Sequence, residues 1–464
     1  MSNKAEKRGL VPKLRFPEFR EAGEWHRRKL NELLFETKRR NRDLKYSRQD
    51  VLSVSGEFGC VNQIELLGRS YAGVSVKDYH IVETGDVVYT KSPLKKNPFG
   101  IIKENKGKPG IVSTLYAVYR ATSICHPAYL DYYFSSDFNL NCYLQPIVKI
   151  GAKNDMKVNN AYVLSGKVPA PKIQEQKKIA DCLASLDELI TLESQQLDTL
   201  KTYKEGLMQQ LLPAEGETLP KLRFPEFRDA GEWEEVPLSE LVGSLDAGVS
   251  VNSGDRPATG NEIGVLKTSA VTNGIFEPRE NKVVFDEVEI GRVKESVQGD
   301  TIIISRMNTP ALVGANAYVK TSLVNLFLPD RLWAAKSKPG TSMRFVALIL
   351  GSDKGRAALS KLAKGSSGSM KNITKPDVLA FLIMAPSSEE QQKIADCLAS
   401  LDDLIAAHTQ KLVALKTHKK GLMQQLFPDT ATTPPLRGTP PEEGNGRQNS
   451  PPLEGWQAKP DGVV

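Results

Sequence analysis

Three features of the chain carry residue types that could do chemistry. Asn97-Pro98-Phe99 offers part of the Asn/Asp-Pro-Pro-aromatic tetrad with which an adenine methyltransferase grips the amino group of a flipped base, but one proline is missing and no Gly-rich cofactor loop follows a strand. Glu175-Gln176-Lys177 has the E-x-K spacing of a nuclease carboxylate–lysine set, yet no Pro-Asp precedes it suitably, and a second copy of the segment reads Glu390-Gln391-Gln392. The third is basic: the run Lys38 to Arg48, with Tyr46 interleaved, and a cluster from Lys91 to Lys96. With a net charge of +7, these point toward an anionic partner, although a solvated face accounts for such runs as well.

The remaining catalytic inventory is thin. No G-x-x-x-x-G-K-[ST] loop exists to cradle a nucleoside triphosphate. The five histidines (His26, His80, His126, His408, His418) do not cluster, and the five cysteines (Cys60, Cys125, Cys142, Cys182, Cys397) include no C-x-x-C pair. Neither a zinc site nor a disulfide framework is indicated. These absences describe a recognition scaffold rather than a catalyst. No window approaches the roughly 18 apolar residues of a membrane span, so a cytoplasmic protein is expected.

The elements that must position the basic residues are organised by duplication. PKLRFPEFREAGEW, Pro12 to Trp25, returns as PKLRFPEFRDAGEW, Pro220 to Trp233. EQKKIADCLASLDELI, Glu175 to Ile190, returns as EQQKIADCLASLDDLI, Glu390 to Ile405, an offset of 215. Between these repeats the sequence diverges, but VLSVS (Val51 to Ser55) aligns with VLKTS (Val265 to Ser269), GDVVY with GDTII, and Met156-Lys157 with Met370-Lys371, all at 214. Each half is thus a leading motif, a diverged block and a helix. Short β-branched runs bounded by Gly, Pro, Asn and Asp read as strands, and PAYLDYYFSS and MRFVALILGSDKGRAALSKLA carry helical spacing, giving an α+β block.

The repeated helix carries an apolar stripe at alternating spacings of three and four. One copy presents Ile179, Leu183, Leu186, Ile190, Leu197 and Leu200, the other Ile394, Leu398, Leu401, Ile405, Leu412 and Leu415, and each continues to a Leu pair before Pro213 or Pro428. Such spacing keeps one stripe toward a partner helix, and the other copy is the natural partner. Polar residues interrupt both stripes at matching places, Glu193 with His408 and Lys204 with Lys419; His408 reads as a register-setting residue. Ser387 with Glu390 three residues on predicts a capping box. The expected organisation is a flexible 1–11, domains over 12–170 and 220–386, helices over 171–213 and 387–428, and a disordered Pro- and Gly-rich tail over 429–464.

Two divergent blocks, each closed by P-x-x-x-E-Q-x-x-I-A-x-x-L-x-x-L-D-x-x-I (Pro171 to Ile190 and Pro386 to Ile405), resemble the specificity subunit of type I restriction-modification systems. LKTYKEGLMQQLLP with its twin LKTHKKGLMQQLFP, and PKLRFPEF, are similar to segments of that family. The resemblance implies two target recognition domains, each reading one half of a bipartite DNA target, separated by an antiparallel pair of helices that sets the spacing and docks two adenine methyltransferase subunits. Motor and endonuclease subunits would complete the complex. S-adenosylmethionine, ATP and Mg are then expected on those partners, none on this chain. Base edges are read by Arg, Lys, Asn or Gln and phosphates by Lys, Arg or hydroxyls. The DNA-binding candidates are Lys91, Ser92, Lys95, Lys96 and Asn97 after the GDVVYT strand, Ser305, Arg306 and Asn308 in the matching loop, and Arg39, Arg40 and Arg42 for the backbone. The competing expectation is a coiled-coil adaptor with two protein-binding modules and no DNA role.

Overall fold

The computed structural model describes residues 10–150, 156–364 and 370–428. The expected flexible 1–11 lies almost wholly outside them, and the expected disordered tail of 429–464 lies outside them entirely. The chain divides into two compact units, Met1–Ala184 with Lys420–Val464, and Ser185–Lys419.

In the first unit the buried apolar runs pair as an antiparallel sheet in the order Leu34–Glu36, Tyr116–Ala121, Val87–Thr90, Ile101–Glu104. Val87–Thr90 is buried at all four positions, because the sheet is covered on both faces. One cover is the helical pair Pro127–Phe134 and Asp137–Leu144, whose Tyr129, Leu130 and Phe134 join the main core. The other is a smaller core of Leu52, Cys60, Val82, Val88, Val112 and Val118, built with the hairpin Leu52–Ser55/Gly59–Asn62 and the pair His80–Val82/Gly110–Val112. A two-stranded ladder, His26–Lys29 with Lys167–Ala170, joins the beginning of the domain to its end.

The second unit repeats this plan. Its sheet runs Val242–Ala247, Leu332–Ser337, Thr301–Ser305, Asn316–Val319, and the ladder that closes the domain is Glu234–Pro237 with Leu382–Ala385. The helical cover is Met343–Gly351 followed by Asp353–Lys361, broken at Ser352. The second cover has grown into a four-stranded sheet, Asn281–Val284, Ile263–Leu266, Leu323–Phe327, Ser296–Val297. The GDVVY and GDTII echo at offset 214 falls on equivalent strands: Val87–Thr90 and Thr301–Ser305 are both the third strand of their sheets. The VLSVS and VLKTS echo does not hold throughout, since Leu52–Ser55 is a strand to its end whereas Ile263–Leu266 gives way to a 3-10 turn over Thr268–Val271.

The two long helices are Ile173–Leu211 and Ser388–Leu426, each of 39 residues and thus roughly 60 Å long at about 1.5 Å per residue. Both stop before their proline. All twelve stripe residues named above are buried or half-buried. Their roles differ along the helix, however. Ile179 and Leu183 belong to the first domain's core beside Leu426 and Phe427, and Ile394 and Leu398 to a cluster with Leu211, Trp233 and Phe345. The ends of the stripe are domain foundations.

Within the second unit, cross-helix pairs show the helices running antiparallel: Lys204 Nζ donates to Asp402 Oδ1 at 2.5 Å, and Lys419 pairs with Asp187. Between those pairs Glu193 bonds His408 Nδ1 at 2.6 Å and Lys411 at 2.8 Å. The Lys411 bond first and the His408 bond second hold the Glu193 carboxyl below the usual carboxylate range.

Candidate nucleic-acid interface

In the first domain the two basic runs arrive at one place. The loop after Leu34–Glu36 carries Lys38, Arg40 and Arg42, and the strand Val87–Thr90 ends on Lys91. Together with Glu36, His80, Thr114 and Asn160 these line a cavity of about 590 Å³. Antiparallel bridging of Arg40 to His80 pins the loop against its neighbour, and Arg40 Nη1 donates to the Asp78 carbonyl. Among the described residues Lys38, Arg42 and Lys91 form no ion pair with a carboxylate. Burial lowers the Lys91 pKa, partly offset by Glu36. Burial, then Arg40, lowers that of His80, whose Nδ1 is buried without a hydrogen-bond partner. The site is therefore poised for negative charge brought from outside.

The rest of the Lys91–Asn97 loop is a turn with its own scaffolding. Leu94 and Asn97 exchange backbone hydrogen bonds at 3.1 Å, and Gly100 has a φ of +88° where an added Cβ would stand 2.0 Å from the Thr90 carbonyl oxygen. Only glycine fits that approach. Ser92, Lys95 and Lys96 are exposed on the turn. Asn97 is not: it is 7% exposed and its Nδ2 donates to Asp137 Oδ1 at 2.9 Å, so its amide is committed to the fold. Arg39 points to a different partner, Glu83 at 3.0 Å.

The equivalent loop of the second domain also turns on a left-handed glycine, Gly314 at φ +78°. Ser305, expected there as a DNA contact, is completely buried; it accepts a hydrogen bond from Asn308 Nδ2 at 3.3 Å. Burial removes it from any duplex. Arg306 remains half-exposed, its guanidinium 5.8 Å from the centre of the Trp333 ring, with Lys375 Nζ at 6.0 Å from the same ring. Its Nε is buried without a partner. Lys375 was not singled out by the sequence; only the third dimension brings it to Arg306.

The leading motif and the E-Q pair, read in sequence as separate repeats, meet. Arg15 donates from Nε and Nη2 to the two Glu175 oxygens, both at 2.7 Å, and Trp25 Nε1 donates to the same carboxylate at 3.1 Å. The second copy repeats it: Arg223 to Glu390 at 2.8 and 2.7 Å, Trp233 at 3.4 Å. Gln176 Nε2 donates to the Ile124 and Pro171 carbonyls, and Gln391 Nε2 to that of Pro386. Glu175 is thus bound into the fold and is no nuclease carboxylate. The predicted capping box is half formed: Ser387 Oγ accepts from the Glu390 N–H at 3.4 Å, while the Glu390 carboxylate serves Arg223 instead.

Residues 68–202 and 230–417 match the family model described as type I restriction modification DNA specificity domain. The chain is 28% identical over 281 residues to the putative type I restriction enzyme MjaX specificity subunit of Methanocaldococcus jannaschii, covering 60% of this chain and 62% of that one. It is 27% identical over 272 residues to the type I restriction enzyme MjaVIII specificity subunit of the same organism, covering 56% and 61%. The matched stretches thus span less than two thirds of either relative. The crystal structure of a type I restriction-modification system S subunit from M. genitalium superposes over 90% of this chain and 100% of that chain, with a TM-score of 0.56 at 12% identity, a likeness of fold.

Proposed function

Because the chain belongs to the family of type I restriction-modification DNA specificity domains, we propose that it is the DNA-binding specificity subunit of such a system and performs no catalysis itself. Each domain reads one half of a bipartite, asymmetric target. The observation that carries this reading is the duplicated sheet whose third strand ends, in each copy, on a cation-bearing loop: Lys91 beyond Val87–Thr90 and Arg306 beyond Thr301–Ser305. The same scaffold with different loops suits two unlike half-sites, since groove-facing Arg and Lys carry base and phosphate recognition.

The repeated parts fit two copies of one partner. Leu189 and Leu404 occupy the same position in the two helical repeats and remain 51% and 48% exposed on their outer faces. Identical surfaces related by duplication suit identical subunits, and the proposed ones are two adenine methyltransferase subunits, with motor and endonuclease subunits completing a cytoplasmic complex. S-adenosylmethionine, ATP and Mg are assigned to those partners. The test is methylation mapping of the host genome with and without this gene. An interrupted, asymmetric adenine motif that disappears with the gene is the expected result; an unchanged methylome, or a contiguous motif, would overturn the proposal.

A further inference from the structure

The two domains do not share the electrostatic load. Residues 12–170 hold 25 Lys and Arg against 16 Asp and Glu, whereas residues 220–386 hold 21 against 19. The difference concentrates in one element. Between the edge strand and the next strand, the first domain places Lys38, Arg39, Arg40, Arg42, Lys45 and Arg48. The same connection in the second domain, from Gly248 to Glu262, contains a single cation, Arg256, and both its terminal nitrogens are held by Glu262 at 2.7 and 2.5 Å. At the end of the third strand the first domain has Lys91 facing the cavity; the matching Ser305 is buried.

Resting on the DNA-recognition reading, we propose that the cavity formed by Lys38, Arg40, Arg42, His80 and Lys91 is a clamp for backbone phosphate, so that the first domain supplies most of the sequence-independent grip and the second reads its half-site with few phosphate contacts. The chemistry is that of a phosphodiester. Three cations without carboxylate partners converge from two elements, the cavity of about 590 Å³ admits the group, and the buried, unpartnered His80 Nδ1 lies in its wall. Arg40 and Lys91 are half-buried, and Lys38 and Arg42 stand exposed around them, an open set of point charges that suits the distributed negative charge of a phosphate. Phosphate neutralisation releases condensed counterions, so each contact adds roughly 0.9 to the slope of log affinity against log salt.

The experiment uses the full chain, with its methyltransferase partner, on a duplex carrying the mapped target and on one of unrelated sequence, titrated from low to high salt. Replacing Lys38, Arg42 and Lys91 together by Gln is expected to weaken binding to both duplexes by the same factor, tenfold or more, and to flatten the salt slope by about one to three. Arg306→Gln is expected to leave the slope within about one of wild type while reducing discrimination at one half-site. Methylphosphonate substitution, phosphate by phosphate, provides a readout on the unaltered protein: one or two positions beside the first half-site should weaken wild-type binding and have no effect on the triple variant. Loss confined to the target duplex, an altered methylation motif, or no sensitive phosphate at that half-site overturns the clamp while leaving DNA recognition standing. A wild-type chain indifferent to target sequence overturns the recognition reading itself.

Discussion

Arg15 and Glu175 show how a residue pair can fix where a domain begins. Both side chains are under 10% exposed, and the carboxylate also receives the Trp25 indole, so removing the arginine strands a buried charge. Arg15→Ala is expected to cost about 3 kcal/mol in chemical denaturation, and replacing both partners by apolar residues to cost less than either single change. A double variant as damaged as the sum of the singles would argue against coupling. Glu104 gives a different prediction. Burial, then the neighbouring Asp131 carboxylate, pushes its pKa up to about 7, and its Oε2 has no hydrogen-bond partner. A carboxyl with a pKa higher in the folded than in the unfolded chain stabilises the fold fully below the unfolded value of about 4.3, and that contribution is lost as pH rises through about 7. Thermal unfolding between pH 5 and 8 should therefore show declining stability that Glu104→Gln removes, a gain on the order of 2 kcal/mol at pH 8 after screening. Parallel pH profiles for the two proteins would contradict it. Neither role was legible in sequence: Glu175 stood out only for its E-x-K spacing, not as the partner of Arg15, and nothing local marks Glu104 as buried.

The long helices pair by a rule visible in their numbering. Lys204 and Lys419 are repeat equivalents, as are Asp187 and Asp402, so the pairs Lys204–Asp402 and Lys419–Asp187 are two copies of one contact about a pseudo-twofold axis. Glu193 and His408 are also repeat equivalents and meet each other, which places them on that axis. A helix paired with its own copy would bring like against like there, Glu with Glu or His with His. The unlike pair favours the two helices joining each other. His408→Glu is expected to lower the melting temperature at neutral pH, and adding Glu193→His to recover it, as monitored by calorimetry; a swap variant no better than His408→Glu would remove the pair as a pairing determinant. The stripe itself was readable from spacing. That Ile179, Leu183, Ile394 and Leu398 serve domain cores was not, because periodicity reports which face is apolar and not what covers it.

For the whole molecule, the proposed ruler role of the helices makes a dimensional prediction. One heptad added to each helix lengthens the spacer by about 10 Å, roughly three base pairs, and the mapped motif should widen accordingly if the complex assembles. An unchanged gap in the methylated motif would dismiss the ruler. The duplication, the placement of strands, the apolar stripe and the family were all legible in the sequence, since repetition and hydrophobic period are properties of order along the chain. Which basic residues act together was decided elsewhere. Lys38, Arg40, Arg42 and Lys91 became one cavity, Asn97 and Ser305 dropped out into the core, and Lys375 joined Arg306 over Trp333, through ladder pairings that connect residues tens of positions apart. Charge and amide groups act over a few ångströms in space, and sequence order does not record those distances.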